Sequence, residues 1–481
     1  MTQRLSADIL KSFGTVNVPA VDRMLAEEIA SDRHKIVVLD DDPTGVQTVH
    51  DVSVFTGRDR ASVLEGFRED RKLFYMLTNS RGMTPDETAA VHREIIGNIK
   101  SVAAELGMLY MIISRSDSTL RGHYPLETEI IREGIEEGGA KLDGEILIPF
   151  FKEGGRFTIG NVHYVRQGDE LVPAAETEFA KDKSFGYTKS SIPEYIEEKT
   201  GGAYKAGDVT CVSIEDLRDL KIDHIVQQLM AVEGFGKVCV NAADYCDLKV
   251  FAIALYRAMK RGKHFVLRSA AGIVKVMGGV SDAPLLRADR LVKEPSGRGG
   301  AVIIGSHMQK TTRQLEELLK AEGITEIPFD SDKVLEGDEA LDAEVRRCVR
   351  LEEEAIEAGL TPVCYTKRTL LSLPGDTKES ALLRSVKISD AVQRLIGELT
   401  AAPSFIIAKG GITSSDIGTK ALRVRRANVM GQILPGIPVW ETGSESRFPG
   451  IPYVIFPGNV GSETDLRTAA ETLMEASKRK D

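Results

Sequence analysis

Short runs rich in Val, Ile and Phe alternate along this chain with longer segments in which apolar residues recur at helical spacing. Apolar runs bounded by turn formers and separated by amphipathic helices are the pattern of βα units and a largely parallel sheet. The pattern predicts an α/β protein with strands at residues 36–40, 52–56, 73–78, 109–114, 145–150, 238–241 and 264–268. After a gap it predicts further strands at 301–305, 361–365, 404–408, 438–441 and 453–456. Helices are clearest in the second half, where Val392, Leu395, Ile396 and Leu399 recur at i, i+3, i+4 and i+7.

The gap contains Lys293-Glu294-Pro295-Ser296-Gly297-Arg298-Gly299-Gly300, a segment with little to pack and much backbone freedom. It reads as a linker between an N-terminal domain, 1–292, and a C-terminal domain, 301–481, each with a largely parallel sheet flanked by helices. A glycine-rich active-site loop is the alternative. A second irregular stretch, 152–191, carries Gly154-Gly155-Arg156 and Gly160-Asn161, and is long for a mere connection. It reads as a functional loop or a small β-excursion.

Composition narrows the function. With 481 residues, 42% of them hydrophobic, the chain can bury two or three cores. Its 62 Lys plus Arg against 72 Asp plus Glu give a net charge of −10, spread along the chain. That argues against nucleic acid or an anionic membrane held by bulk charge. Apolar runs such as Ile36 to Leu39 fall far below the roughly 18 residues of a membrane span. No apolar core follows a basic start, so a secretory signal is not expected. Five cysteines without a CxxC pair point to a reduced, zinc-free, cytoplasmic protein.

Chemistry concentrates at strand ends, where ligands of open α/β sheets sit. Asp40-Asp41-Asp42-Pro43-Thr44-Gly45 ends the first strand, and three adjacent carboxylates repel unless something cationic meets them. Thr78-Asn79-Ser80-Arg81 and Ser114-Arg115-Ser116-Asp117-Ser118-Thr119-Leu120-Arg121-Gly122 end two others. Arg81, Arg115 and Arg121 offer planar forks for a carboxylate or phosphate, with hydroxyls to meet a polyol. Together they describe a site for a small hydroxy acid, although helix N-capping would also account for Ser116, Asp117 or Ser118.

In the second half, Gly305-Ser306-His307, Lys409-Gly410-Gly411-Ile412-Thr413 and Pro457-Gly458-Asn459 repeat one grammar of strand, glycine turn and polar follow-on. Three such exits suggest a nucleotide or phosphate cradle. Neither GxxxxGK[ST] nor GxGxxG is present, so neither the P-loop nor the dinucleotide fingerprint applies.

The order Asp41 to Gly45, Ser80-Arg81, Asp117 to Gly122, Gly305-Ser306, Gly410-Gly411 and Pro457-Gly458-Asn459 resembles the four-carbon acid sugar kinase family over roughly residues 35 to 470. Asp117 to Gly122 is the most specific element. The resemblance implies a kinase fold distinct from the P-loop kinases, with an N-terminal domain that binds the sugar acid and a C-terminal domain that binds ATP. It implies ATP-dependent phosphorylation, with Mg²⁺, of a terminal hydroxyl on an acid such as threonate, erythronate or 3-oxo-tetronate. Carried over, Asp41, Asp42, Arg81, Arg115, Ser116, Asp117 and Ser118 would line the acid site. Ser306, Gly410, Gly411, Ile412, Thr413 and Gly458 would meet ATP. The chain departs from the family's common pattern at Pro43 and Val46, at Arg115 where a lysine is usual, and at Ile412 where the family often has Glu.

On this reading Arg81, Arg115 and Arg121 take the substrate carboxylate, and Asp42 or Asp117 takes the hydroxyl proton. Lys409 and the amides of Gly410, Gly411 and Gly458 hold the phosphates, with domain closure about 293–300 to exclude water. A sugar-acid oxidoreductase or isomerase and a non-catalytic acid sensor are the alternatives. Association into a homodimer is left open.

Overall fold

The apolar run Ile36-Val37-Val38-Leu39 forms the middle of the strand Lys35–Asp40, every residue of which is buried, as a strand covered on both faces requires. The computed structural model describes residues 3–369, 371–458 and 460–478, so Asn459 of the third glycine exit lies outside the described residues. In the N-terminal half, seven strands form a parallel sheet in the order Thr210–Val212, Gly236–Val240, Gly144–Ile148, Phe265–Ser269, Tyr110–Arg115, Lys35–Asp40 and Leu73–Leu77. All seven carboxyl ends therefore lie along one edge. Asp40 sits opposite both Leu77 and Arg115, and Arg115 opposite Ser269.

Helices return the chain between these strands. Pro85–Leu106 is the most fully specified: Thr84 and Glu87 form a capping box, Pro85 stands in the first turn, and Gly107 ends the helix in the left-handed conformation at φ 61°. A separate antiparallel sheet joins Leu5–Ser6, Glu170–Pro173, Val162–Gln167 and Arg156–Ile159. The irregular stretch at 152–191 is thus a small β-excursion, and its turns use Gly155, Gly160 and Gly168 at positive φ.

The C-terminal half holds a mixed sheet in the order Val52–Phe55, Arg426–Leu434, Ile437–Thr442, Pro452–Phe456, Ile406–Lys409, Ala301–Ile304, Thr361–Thr366 and Ile324–Phe329. Its first four strands pair antiparallel and the rest parallel. The hairpin at Pro435-Gly436, with Gly436 at φ 76°, introduces the antiparallel part.

Two units result: Met1–Gly45 with Gly57–Asp282, and Val46–Thr56 with Ala283–Asp481. Two sequence expectations change. The strand at 52 belongs with the C-terminal unit, because it pairs with Arg426–Leu434. The segment 293–300 is packed into the C-terminal unit rather than strung out as a linker. Gly297 N–H donates to Ser477 O, Gly299 N–H donates to Ile356 O, and Ser404 Oγ donates to Arg298 O. A Cβ on Gly299 would stand 1.7 Å from Leu360 O, and one on Gly300 2.2 Å from the Phe405 ring. These glycines permit close approach, which composition alone reads as freedom. Among the described residues no helix is long and apolar enough to cross a membrane, and all five cysteines are unpaired.

Candidate functional site

In the N-terminal unit, four strand exits bring alternating charges together. Asp41 lies at the centre: it accepts from Arg81 Nη2 at 2.6 Å and from Ser116 Oγ at 2.8 Å, and Arg115 Nη1 stands 3.5 Å away. Arg81 also reaches Asp42 at 3.3 Å and Asp117 at 3.9 Å. Arg115 donates to Asp40 at 3.1 Å. Arg121 donates to Asp117 at 2.8 Å and stands 3.7 Å from Asp182. Deeper, Arg268 pairs with Glu127, which also accepts from Ser80 Oγ at 2.5 Å.

The backbone is shaped to allow this. Asn79 and Leu120 adopt left-handed conformations at φ 59° and 66°, turning the chain sharply after two of the strands. A Cβ on Gly45 would fall 1.9 Å from the Asp40 carboxylate, so glycine there makes room for that side chain. The loop 117–121 is pinned from outside: His163 Nε2 donates to Ser118 O at 2.8 Å, Tyr187 OH to Thr119 O at 2.7 Å, and Tyr195 OH to Leu120 O at 2.9 Å. Beside the loop opens a small cleft, lined among others by Ser116, Asp117, Arg121, Arg268 and Ser269.

These surroundings separate Asp40 from Asp42 and Asp117. Burial, reinforced by Asp41 and Asp42, pushes the Asp40 carboxyl up to about 7 despite Arg115. Burial also acts on Asp117, but Arg121 and Arg81 with hydrogen bonds from Arg121 and Thr119 outweigh it and hold that carboxyl well below the usual range. Asp42 is likewise held low, since Arg81 and Thr44 overcome its burial. Asp42 and Asp117 keep 13% and 12% of their side-chain surface exposed, whereas Asp40 and Asp41 keep 2% each. The two aspartates named from sequence as catalytic are those with exposed surface.

Arg81, Arg115 and Arg121, expected from sequence to take the substrate carboxylate, are each paired with an aspartate of the protein. Their forks hold the acidic loops in place. Sequence places the charges at strand ends but does not reveal which acid meets which base.

In the C-terminal unit, Ile304, Lys409 and Phe456 lie side by side on adjacent parallel strands, so the three glycine exits converge. Gly410, at φ 121°, could carry a Cβ only 3.2 Å from Ser306 Cβ, and a Cβ on Gly458 would lie 3.3 Å from Ser306 Oγ. Thr413 Oγ1 packs against Gly305, and Thr311 Oγ1 donates to Ser306 Oγ at 3.1 Å. Gly411 follows Gly410 into the short helix Gly411–Asp416, and Ile412 is 68% exposed beside them.

Lys409 departs from its expected role. Its side chain is fully buried, donates to Pro457 O at 2.5 Å and lies 4.2 Å from the Phe456 ring centroid. Burial, with nearby Lys310, pulls its amine down to about 7. It braces two strand exits and presents no surface to a phosphate. Arg368, which the sequence reading missed, follows the neighbouring strand and donates to Ser306 O and to Thr312 Oγ1, the latter at 3.2 Å. Its Nη1 is buried without a partner. An arginine two residues past the buried strand Thr361–Thr366 was the available signal.

For Mg²⁺, no group of three or more His, Cys, Asp or Glu suited to a metal occurs among the described residues. The aspartates at the strand exits are engaged by arginines, so they do not fit a metal site built by the protein alone.

Comparison with known proteins adds to this geometry. A family model described as the sugar-binding N-terminal domain matches residues 36–277, and one described as the nucleotide-binding C-terminal domain matches residues 301–466. A crystal structure of Haemophilus influenzae protein HI1011, of the DUF1537 family, aligns with a TM-score of 0.57 at 16% identity, covering 91% of this chain and 100% of that one. A Salmonella typhimurium LT2 protein described provisionally as a tRNA synthase aligns with a TM-score of 0.61 at 16% identity, covering 91% and 99%. At these identities the likeness is one of fold. No curated protein matches the chain in sequence.

Proposed function

The chain belongs to the four-carbon acid sugar kinase family, matching its sugar-binding and nucleotide-binding domains, and from that premise we propose that it transfers the terminal phosphoryl group of ATP to a hydroxyl of a small sugar acid. The observation that carries this reading is the pairing of two kinds of strand exit. One unit gathers carboxylates, guanidinium groups and hydroxyls around a cleft, and the other gathers three glycine turns on adjacent strands.

Phosphoryl transfer asks mainly for positioning and charge neutralisation. Asp117, held ionised and lining the cleft, accepts a hydrogen bond from the attacking hydroxyl and fixes its direction. So firm an acid stores a proton poorly, so it orients the hydroxyl, with Asp42 as the second exposed carboxylate. Asp41, Arg81, Arg115 and Ser116 hold these two in place, while Ser118 and Arg121 belong to the same loop.

On the nucleotide side, Ser306, Gly410, Gly411, Thr413 and Gly458 form the cradle, and Arg368 supplies the cation that Lys409 cannot. Ile412, exposed where relatives often carry Glu, gives the nucleotide an apolar contact in place of a charged one. Mg²⁺ enters with the nucleotide phosphates, its usual partners. The chain's five unpaired cysteines accord with a reducing, cytoplasmic location.

The test is incubation with ATP, Mg²⁺ and the stereoisomers of threonate, erythronate and 3-oxo-tetronate, with ADP release as the readout. Acid-dependent ADP formation supports the reading. Acid binding without ADP formation across the panel would make the protein a sensor and overturn it.

A further inference from the structure

The sugar-acid reading leaves one question, and this inference rests on it: which cation meets the substrate's carboxylate. Arg81 and Arg115 share the Asp41 carboxylate, Arg121 pairs with Asp117 and Arg268 with Glu127. A second anion at any of them must compete with a partner held in place by the fold.

Arg156 differs. It opens the strand Arg156–Ile159 of the small antiparallel sheet, and its backbone is tied on both sides to Phe151, through N–H···O bonds of 2.8 and 3.1 Å. Its side chain makes no ion pair or hydrogen bond with any described residue; its Nε is buried without a partner, as is that of Arg115, but Arg115 keeps Asp40 and Asp41 within reach and Arg156 has no such acid. The guanidinium lies 5.5 Å from the Phe179 ring centroid, and Arg121 lies 5.1 Å from the same ring. One aromatic ring thus carries a neutralised arginine of the acid loop and an unneutralised one from the excursion. A Cβ on Gly154 would stand 2.4 Å from the Phe151 ring and 2.9 Å from Arg156 Nη1, so glycine at that turn makes room for both side chains.

The Arg156 side chain is half-buried, and its Nε is cut off from water with no anion beside it, which carries a desolvation cost. Burial and Arg121 both weaken the hold of Arg156 on its proton, and Asp117, within electrostatic range, opposes them. Arg121 and Asp117 also line the cleft. An incoming carboxylate would supply the missing partner in the planar, bidentate manner that arginine favours.

We propose that Arg156 is the residue that binds the carboxylate of the acid substrate and so sets the enzyme's preference for acids over neutral polyols. The small sheet at 156–173 then serves to bring one unpaired cation to the edge of the acid loop.

The experiment compares wild type, Arg156→Gln and Arg156→Lys on the threonate and erythronate stereoisomers and on threitol and erythritol, which keep hydroxyls but lack the carboxylate. For the best acid, Arg156→Gln should raise KM at least tenfold and leave kcat within about threefold. Its KM for the tetritols should not change, and Arg156→Lys should recover part of the lost affinity for the acid. Ligand-free Arg156→Gln should melt within about 3 °C of wild type, since no ion pair is lost and only the contact with the Phe179 ring goes. Equal losses on acids and tetritols, an unchanged KM for the acid, or a ligand-free variant that melts well below wild type would each overturn the assignment. Wild type inactive on every acid would overturn the sugar-acid reading itself, and this inference with it.

Discussion

Replacing Asp40 with Asn should remove a pH dependence of stability that can be sized from the structure. The carboxyl is buried among Asp41, Asp42 and Arg115 and pushed up to about 7 from 3.8. The folded protein therefore keeps a proton that the unfolded chain releases. Its contribution is complete below pH 3.8 and is lost as pH rises through about 7. At about 1.4 kcal/mol per pH unit, wild type should lose about 3 kcal/mol relative to Asp40→Asn between pH 5 and pH 8. Asn fills the same space and its Oδ1 can still accept from Arg115, so packing changes little. Urea denaturation followed by far-ultraviolet circular dichroism, at both pH values, measures the difference. The gap between the two midpoints should shift by about 1 M. A gap unchanged from pH 5 to pH 8 would refute the claim that Asp40 is held protonated by burial among like charges.

Three further outcomes follow from the same contacts. Asp117→Asn keeps the side chain's shape but weakens its acceptance of the hydroxyl, and should lower kcat by about 100-fold or more while leaving KM for ATP within about threefold; steady-state kinetics check this. Gly299→Ala forces a methyl group against Leu360 O and should destabilise the protein by about 1–3 kcal/mol, read as a lowered melting temperature; a neutral effect would restore the flexible-linker reading. Lys409 has a folded-state amine near 7 while the unfolded chain holds its proton to about 10.5, so stability should rise between pH 7 and pH 10. In Lys409→Met, Trp440 fluorescence, which reports the C-terminal unit, should show that slope removed, and titration should show nucleotide affinity kept within about threefold.

The central parallel strands were legible because each is a buried run of branched and aromatic residues, whereas the half-buried edge strand Thr210–Val212 was not. Arg426–Leu434 escaped because it alternates buried and half-buried positions and is broken by a register shift at Gly431, φ 135°. Ile324–Phe329 escaped because it is an edge strand with exposed positions and a proline. The small sheet at 156–173 was only half visible, since its strands are four to six residues long and divided by glycine turns.

At the site, sequence places Asp42, Asp117 and Gly410 at strand exits but does not give their partners. Whether Arg81 faces a ligand or Asp41 depends on which strands are neighbours, and on Asp41 lying 2.6 Å away once they are. The same limit hid Arg156, whose significance comes from what it does not touch. It also gave Lys409 a phosphate, although the register that buries it was not in the local pattern.

The central claim is phosphoryl transfer to a sugar acid, and its most direct test is phosphorus NMR of the reaction with ATP, Mg²⁺ and the acid that releases the most ADP. The account predicts a new phosphomonoester resonance, split by the protons of a terminal CH₂ group, that grows with ADP and does not form without the acid. ADP appearing only with inorganic phosphate, or an acid chemically altered without any phosphoester, would contradict it.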